Sequence, residues 1–147
     1  MSGGRDLALP PPPGWQVRVR HQSETHGRRN LVLHAATVPL PDGRGDFGSG
    51  VVAGLGPEDI FLSLFEYDLA ETTTELFSAR GVPSVAPRDF SPSGMQRPLP
   101  GQSGGQWFFT AARRPWTLHV VLGSHARRVS GALRVNTLLS TLTIGAP

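Results

Sequence analysis

The stretch that most constrains this chain is Gly105 to Ser124, GQWFFTAARRPWTLHVVLGS. Trp107, Phe108, Phe109, Trp116, Val120 and Val121 are aromatic or β-branched, the residue types that pack well on a pleated surface. The two apolar runs predict a buried β-hairpin joined at Arg113-Arg114-Pro115, and the other elements must be arranged around it. None of its residues makes a reactive set.

The earlier segments predict the sheet that receives this hairpin. Trp15 to His21 alternates, with Trp15, Val17, Val19 and His21 on one side and Gln16, Arg18 and Arg20 on the other, as in a strand with one wet face. Gln22 to Asn30 is polar and reads as a loop, and Leu31 to Val38 reads as a second strand forming a wide hairpin with the first. In Asp59 to Tyr67, Ile60, Leu62 and Leu64 point one way and Phe61, Phe65 and Tyr67 the other, which places this strand in the middle of the sheet, covered on both faces.

Three helices are predicted. Val51, Val52 and Leu55 suggest a short one stopped by Gly56-Pro57. Asp68 with Glu71 fits a capping box for a helix running to Arg80, ended by Gly81 and Pro83. Ala126 to Leu139 forms the longest, with Val129, Ala132, Leu133, Asn136 and Leu139 on one face. Leu142 to Ile144 closes the chain as a short edge strand. The order β-β-α-β-α-loop-β-β-α-β implies an α+β fold, a single mostly antiparallel sheet of about six strands with two to three helices packed on it.

Composition narrows what such a domain can do. The 147 residues suffice for one domain, read as a Pro-rich arm over residues 1–13 and a single α+β domain over 14–147. Pro10 to Pro13 favour an extended polyproline II segment, expected to be stiff and exposed. The absence of Cys removes disulfides, zinc thiolate sites and thiol nucleophiles. All 14 cationic residues are Arg, but net charge is only +3 and the arginines come as scattered pairs, Arg28-Arg29, Arg113-Arg114 and Arg127-Arg128, which disfavours nucleic acid. No run approaches a membrane span and the N-terminus has no apolar signal segment, so a cytoplasmic location is expected.

Candidate sites are sparse. Gly43 to Gly48 matches G-x-G-x-x-G, with Glu66 about 20 positions on as a ribose partner would be, but Pro39 and Pro41 break the strand-to-glycine link and the βαβ context is missing; a Gly-rich turn is the better reading. The five histidines include no His-x-x-x-His and no His-x-His pattern, His21 and His34 read as core or rim residues, and no metal or other cofactor is called for. Asp59, Glu66 and Asp68 offer an acid/base pair only if the fold gathers them. Ser49, Ser103 and Ser124 each sit beside Gly as turn residues, leaving no nucleophile. Asn136, an amide on an apolar helix face, needs partners, either nearby backbone or a ligand.

Two functional readings follow. Residues 82–105 hold Val85, Phe90, Met95 and Leu99 in a long aperiodic Pro/Gly segment, a strap pinned by those anchors. The leading expectation is a non-enzymatic protein-interaction or adaptor module contacting a protein partner through this strap, with Phe90 and Met95, and through Arg18 and Arg20. The alternative is a small-molecule-binding domain or enzyme with a pocket between sheet and strap, lined by Trp107, His119 and Asn136. A homodimer through an edge strand is compatible with either.

The march of Gly14-Trp15, LVLHAATVPLP, DIFLSLFEY, GGQWFFTAARRPWTLHVVLGS and VNTLLSTLTI resembles small actinobacterial proteins. In element order it is also similar to the PsbP-like α/β/α sandwich, with Asn136, Leu139, Thr141 and Leu142 carrying the characteristic ending. The resemblance covers most of the chain from Trp15 and implies an accessory domain that binds other proteins; it carries over no catalytic residue. Exported members of that group have a signal peptide and a lipidation Cys, which this sequence does not show.

Overall fold

The computed structural model describes residues 7–25, 28–40, 49–95 and 99–146. Among these residues seven strands are formed: β1 (Leu7–Ala8), β2 (Gln16–Thr25), β3 (Arg28–Ala36), β4 (Ile60–Glu66), β5 (Ser103–Ala111), β6 (Arg114–Leu122) and β7 (Thr143–Ile144). The helices are α1 (Ser49–Ala53) and α2 (Arg128–Leu139). Five strands make an antiparallel sheet in the order β2-β3-β4-β6-β5, and β1 with β7 makes a separate two-stranded ribbon. The fold is therefore α+β and mostly antiparallel, with five strands in the main sheet where one six-stranded sheet was expected.

Side-chain alternation gives the sheet two different faces. Leu33, Ala35, Ile60, Leu62, Leu64, Phe109, Trp116, Leu118 and Val120 are buried on one, where Ala132, Val135, Leu138 and Leu139 of α2 complete the main core. Gly131 allows the close approach: a Cβ there would stand 2.9 Å from Leu122 Cδ2. On the opposite face Ala36, Phe61 and Val121 pack under Leu40, Leu55 and Met95 in a smaller core. Farther along that face the rings of Phe65, Tyr67, Phe77 and Phe108 follow one another at centroid separations of 5.1 to 5.7 Å.

A buried ion pair fastens the main core. Glu66 is fully buried and accepts from Arg114 Nε at 2.8 Å, Arg114 Nη2 at 3.1 Å and the Leu31 amide at 3.0 Å. Arg114 Nη1 donates to the Gly145 carbonyl at 2.9 Å, and its guanidinium lies 5.1 Å from the Trp116 ring centre. Three neighbouring strands thus meet on one carboxylate, and Arg114 ties Gly145 to the same ion pair.

Several local expectations are corrected. The hairpin turns at Ala112-Arg113, not at Arg113-Arg114-Pro115: both residues have left-handed φ, 53° and 62°, as a two-residue type I′ turn requires, so Arg114 begins β6 and faces Glu66. Pro115 is tolerated inside β6 because its cross-strand partner Thr110 turns its own N–H and C=O to Ala79 and Gly81. Residues 68–80 form two short 3-10 turns, Leu69–Thr73 and Glu75–Phe77, in place of a helix. Here Thr72, Thr73 and Thr74 donate their hydroxyls to carbonyls three residues back, and such β-branched, self-bonding side chains compete with helix propagation. Asp68 makes no cap bond and instead accepts from Asn30 Nδ2 at 3.3 Å.

On α2 the buried face runs through Gly131, Ala132, Val135, Leu138 and Leu139, while Val129 and Leu133, expected inside, are 70% and 67% exposed. The polar segment 22–30 continues both strands of the first hairpin, to Thr25 and from Arg28, past a register shift between His21 and Glu24. Leu142 to Ile144 joins no edge of the main sheet; Thr143–Ile144 pairs with Leu7–Ala8. Leu7 and Leu9, expected to be exposed with the proline arm, are buried in the main core. The Gly43 to Gly48 motif lies outside the described residues.

Candidate functional site

Strand register assembles a feature that no single strand displays. Arg18 pairs with His34, His34 with Ser63, Ser63 with His119, and His119 with Gln106, so five polar side chains cross the whole sheet in one row on the face opposite α2. The next row on one side is Arg20, Val32, Phe65, Thr117 and Phe108, and on the other Gln16, Ala36, Phe61, Val121 and Gly104. Burial deepens from the exposed Gln106 through the half-buried His119 to Ser63 and His34, then eases at Arg18. The row thus leads from the β5 edge into the interior.

Two atoms on this surface stand out. His34 Nε2 and Thr117 Oγ1 are shielded from solvent and have no hydrogen-bond partner among the described residues. Their residues are only 8% and 7% exposed. A buried polar atom left unpaired costs about 1–3 kcal/mol, and Gln102 Oε1, Ser103 Oγ and His125 Nδ1 are in the same condition elsewhere among the described residues. The His34 ring rests against Phe61 with centroids 5.3 Å apart, and Phe65 and Phe108 border Thr117 from the two adjacent strands.

The electrostatics keep both imidazoles neutral near pH 7. Burial, and secondarily the positive charge of Arg20, push His34 below the ordinary value of 6.5. Burial lowers His119 as well, partly offset by its 3.4 Å contact with the Gly94 carbonyl. Ser63 between two histidines invites comparison with a nucleophilic triad, but none of the residues paired with it across the row, Arg18, His34, His119 and Gln106, is a carboxylate. The row offers neutral hydrogen-bonding groups.

The strap explains why the other expected residues do not gather. It wraps the β5 edge: Val85 and Phe90 are buried on the α2 side, Ser91 exchanges backbone bonds with Gly104 at 3.0 and 2.9 Å, and Met95 is buried on the opposite side. Gly94 passes so close to β5 that a Cβ on it would stand 2.2 Å from the Gly104 carbonyl oxygen. Phe90 meets the edge of Trp107 at 5.6 Å, and Phe90 and Met95 both fill core, presenting no surface to a partner. Arg18 and Arg20 are half-buried at the β2 end of the polar face.

The three-residue pocket is likewise corrected. Trp107 and Asn136 belong to the α2 side, whereas His119 faces the other way, so the sheet separates them. Asn136 takes the backbone alternative, clamping Val85 by accepting from its N–H at 2.8 Å and donating to its C=O at 2.9 Å. The carboxylates are dispersed too: Glu66 holds Arg114, Asp68 meets Asn30, and Asp59 accepts from Thr37 Oγ1 and the Gly56 amide, both at 2.9 Å.

Ser63, Thr117 and Gln106 were missed as site residues, and His34 was read as a core or rim residue. Their signal was a polar residue at a one-face position of an otherwise apolar strand, as in IFLSLFE and RPWTLHVVL, and it becomes a row only once register is known. Among the described residues no group of three or more His, Cys, Asp or Glu side chains is placed to hold a metal ion, and no helix is long and apolar enough to cross a membrane. Compared with protein-family models, curated proteins and solved structures, the chain matches none.

Proposed function

We propose that this protein is a small-molecule-binding domain whose site is the sheet face opposite α2, with His34, Ser63 and His119 of the polar row and Thr117 of the adjacent row at its floor and Gln106 at its entrance. The observation that carries this reading is that two buried atoms on one face, His34 Nε2 on β3 and Thr117 Oγ1 on β6 with β4 between them, have no hydrogen-bond partner among the described residues. Binding without turnover is the chemistry such neutral donors and acceptors serve. A thermal-shift screen across neutral, acidic and basic small molecules tests it, since a saturating ligand raises the midpoint by linkage, about 2.7 kcal/mol at 100 times Kd. A hit whose stabilisation disappears in both His34→Phe and Thr117→Val is the expected result; hits indifferent to both variants overturn the assignment.

A second reading, a module that binds another protein, draws on α2. Val129 and Leu133 are one helical turn apart and both highly exposed, which is unusual for large apolar side chains on a helix that has a buried face. The resemblance to the PsbP-like sandwich points the same way. Sedimentation of the chain alone and of Val129→Ser/Leu133→Ser separates self-association from the monomeric state; identical monomeric behaviour of both removes the homodimer version of this reading.

A further inference from the structure

We infer that Leu9 to Pro13 is a docking segment, a preformed polyproline II ridge recognised by a protein whose groove is lined with aromatic side chains; this step is independent of the ligand site on the sheet. Each proline ring fixes φ at about −65°, and each residue that precedes a proline is turned away from the helical region. Leu9 to Pro12 all precede a proline, so the stretch is confined to the polyproline II conformation, and neither helix nor strand forms over residues 9–12.

Both ends of the ridge are held. Leu7–Ala8 pairs with Thr143–Ile144, and Leu9 is buried in the main core. At the other end Pro13 and Gly14 are the central residues of a turn closed by the Trp15 amide, which donates to the Pro12 carbonyl at 3.1 Å. Gly14 has the φ of 87° that the third position of a type II turn requires, and Trp15 packs against the same core as Leu9. Folding has therefore already ordered the segment, and a partner binds it without that entropy cost.

Polyproline II repeats every three residues, which puts Pro10 and Pro13 on one edge. Both are exposed, as is Pro11 between them, whereas Pro12 is half-buried. The outer side is thus a P-x-x-P ridge, the pattern that aromatic-lined grooves receive. Having no N–H, the prolines offer only carbonyls, and those of Pro10 and Pro11 accept from no backbone amide among the described residues. The matching surface has rings between which the pyrrolidines insert, with an indole N–H or a phenol O–H to reach the carbonyls. A connection that only joined β1 to β2 would use the Pro13-Gly14 turn and need no exposed rings at Pro10 and Pro11.

The test titrates the full chain against a panel of purified SH3, WW and EVH1 domains, followed by calorimetry. At least one domain is expected to bind saturably, to lose about tenfold or more in affinity for Pro10→Ala/Pro11→Ala, and to lose binding when its own groove tryptophan is replaced by alanine. The folded chain should bind at least as tightly as a free peptide of residues 8–15. Circular dichroism and the thermal midpoint establish that the variant is folded; if the double variant is not, Pro11→Ala alone, which touches neither the turn nor the buried Leu9, carries the same comparison. No binding by any domain of the panel, or affinity unchanged in a folded proline variant or in the groove variant, overturns the inference. A free peptide that binds more tightly than the folded chain shows that the fold hides the ridge, and overturns it as well.

Discussion

Replacing Glu66 by leucine leaves the Arg114 guanidinium in the core with its carboxylate gone. In the native chain that carboxylate accepts from Arg114 at 2.8 and 3.1 Å and from the Leu31 amide at 3.0 Å. Hydrogen bonds to a charged group contribute about 1.5–3 kcal/mol each, but adding them counts one charge three times. The relevant figure is the cost of an uncompensated buried charge, about 3–5 kcal/mol when one partner of a buried pair is removed. Glu66 is fully buried and Arg114 nearly so, which places this pair at the upper end of that range. Against a total stability of about 5–15 kcal/mol for a domain of this kind, the variant is severely destabilised.

Urea denaturation of wild type, Glu66→Leu, Arg114→Met and the double variant completes the cycle. The double variant is expected to recover about half or more of the larger single loss, because two apolar side chains of similar volume remove both charges together. The orphaned Leu31 amide keeps the recovery from being complete. A Glu66→Leu loss below about 1 kcal/mol would show that the pair is solvated and refute the burial argument. Hydrogen exchange adds a local readout. Since Arg114 also donates to Gly145, amides of the β1–β7 ribbon should lose protection in Arg114→Met before those of β4 do.

Further outcomes follow from other contacts. Because the folded pKa of His34 is depressed, the unfolded chain takes up a proton near pH 6.5 that the folded chain refuses; stability is therefore complete above pH 6.5 and falls as the pH drops below it, and His34→Phe should flatten that slope in denaturation measured from pH 8 to 5. His119 contributes in the same sense. Leu138→Ala on the buried side of α2 should cost about 2–5 kcal/mol, whereas Leu133→Ala on the exposed side should stay within about 0.5 kcal/mol. The left-handed Ala112 and Arg113 each carry strain of about 1–2 kcal/mol, so Ala112→Asn with Arg113→Gly should raise the thermal midpoint. Gly94→Ala must push the strap off the Gly104 carbonyl, costing about 1–3 kcal/mol and exposing the Ser91 and Gly104 amides to exchange.

Much of the sheet was legible because its pattern is local. The doubly apolar run Ile60–Glu66 does occupy the centre of the main sheet, and the Trp107/Trp116 hairpin supplies β5 and β6. The 68–80 helix failed where propensity lost to three consecutive threonines bonding their own backbone, an outcome visible in the residues but underweighted against the cap signal. The face of α2 was rotated because Val129 and Leu133 match the helical period as well as the true buried set; what decides between them is Gly131, whose missing side chain lets that side approach Leu122. The strap anchors were recognised as anchors, and their burial is the very reason Phe90 and Met95 offer nothing to a partner.

The polar row was illegible for a different reason. Each strand contributes one residue, and a one-residue slip in any pairing would send that residue to the α2 core. The same register that hides the row also argues for its use. Valine at Thr117 or phenylalanine at His34 would keep shape and remove a buried atom that has no partner among the described residues, so each substitution is expected to leave the protein as stable or more so. Under the ligand-binding proposal, polar atoms kept where apolar ones would serve the fold better are a stability cost accepted for binding. Denaturation of those two variants without ligand therefore bears on function directly. If either loses more than about 1 kcal/mol, the atom it deletes is already paired in the folded protein and the row is part of the core.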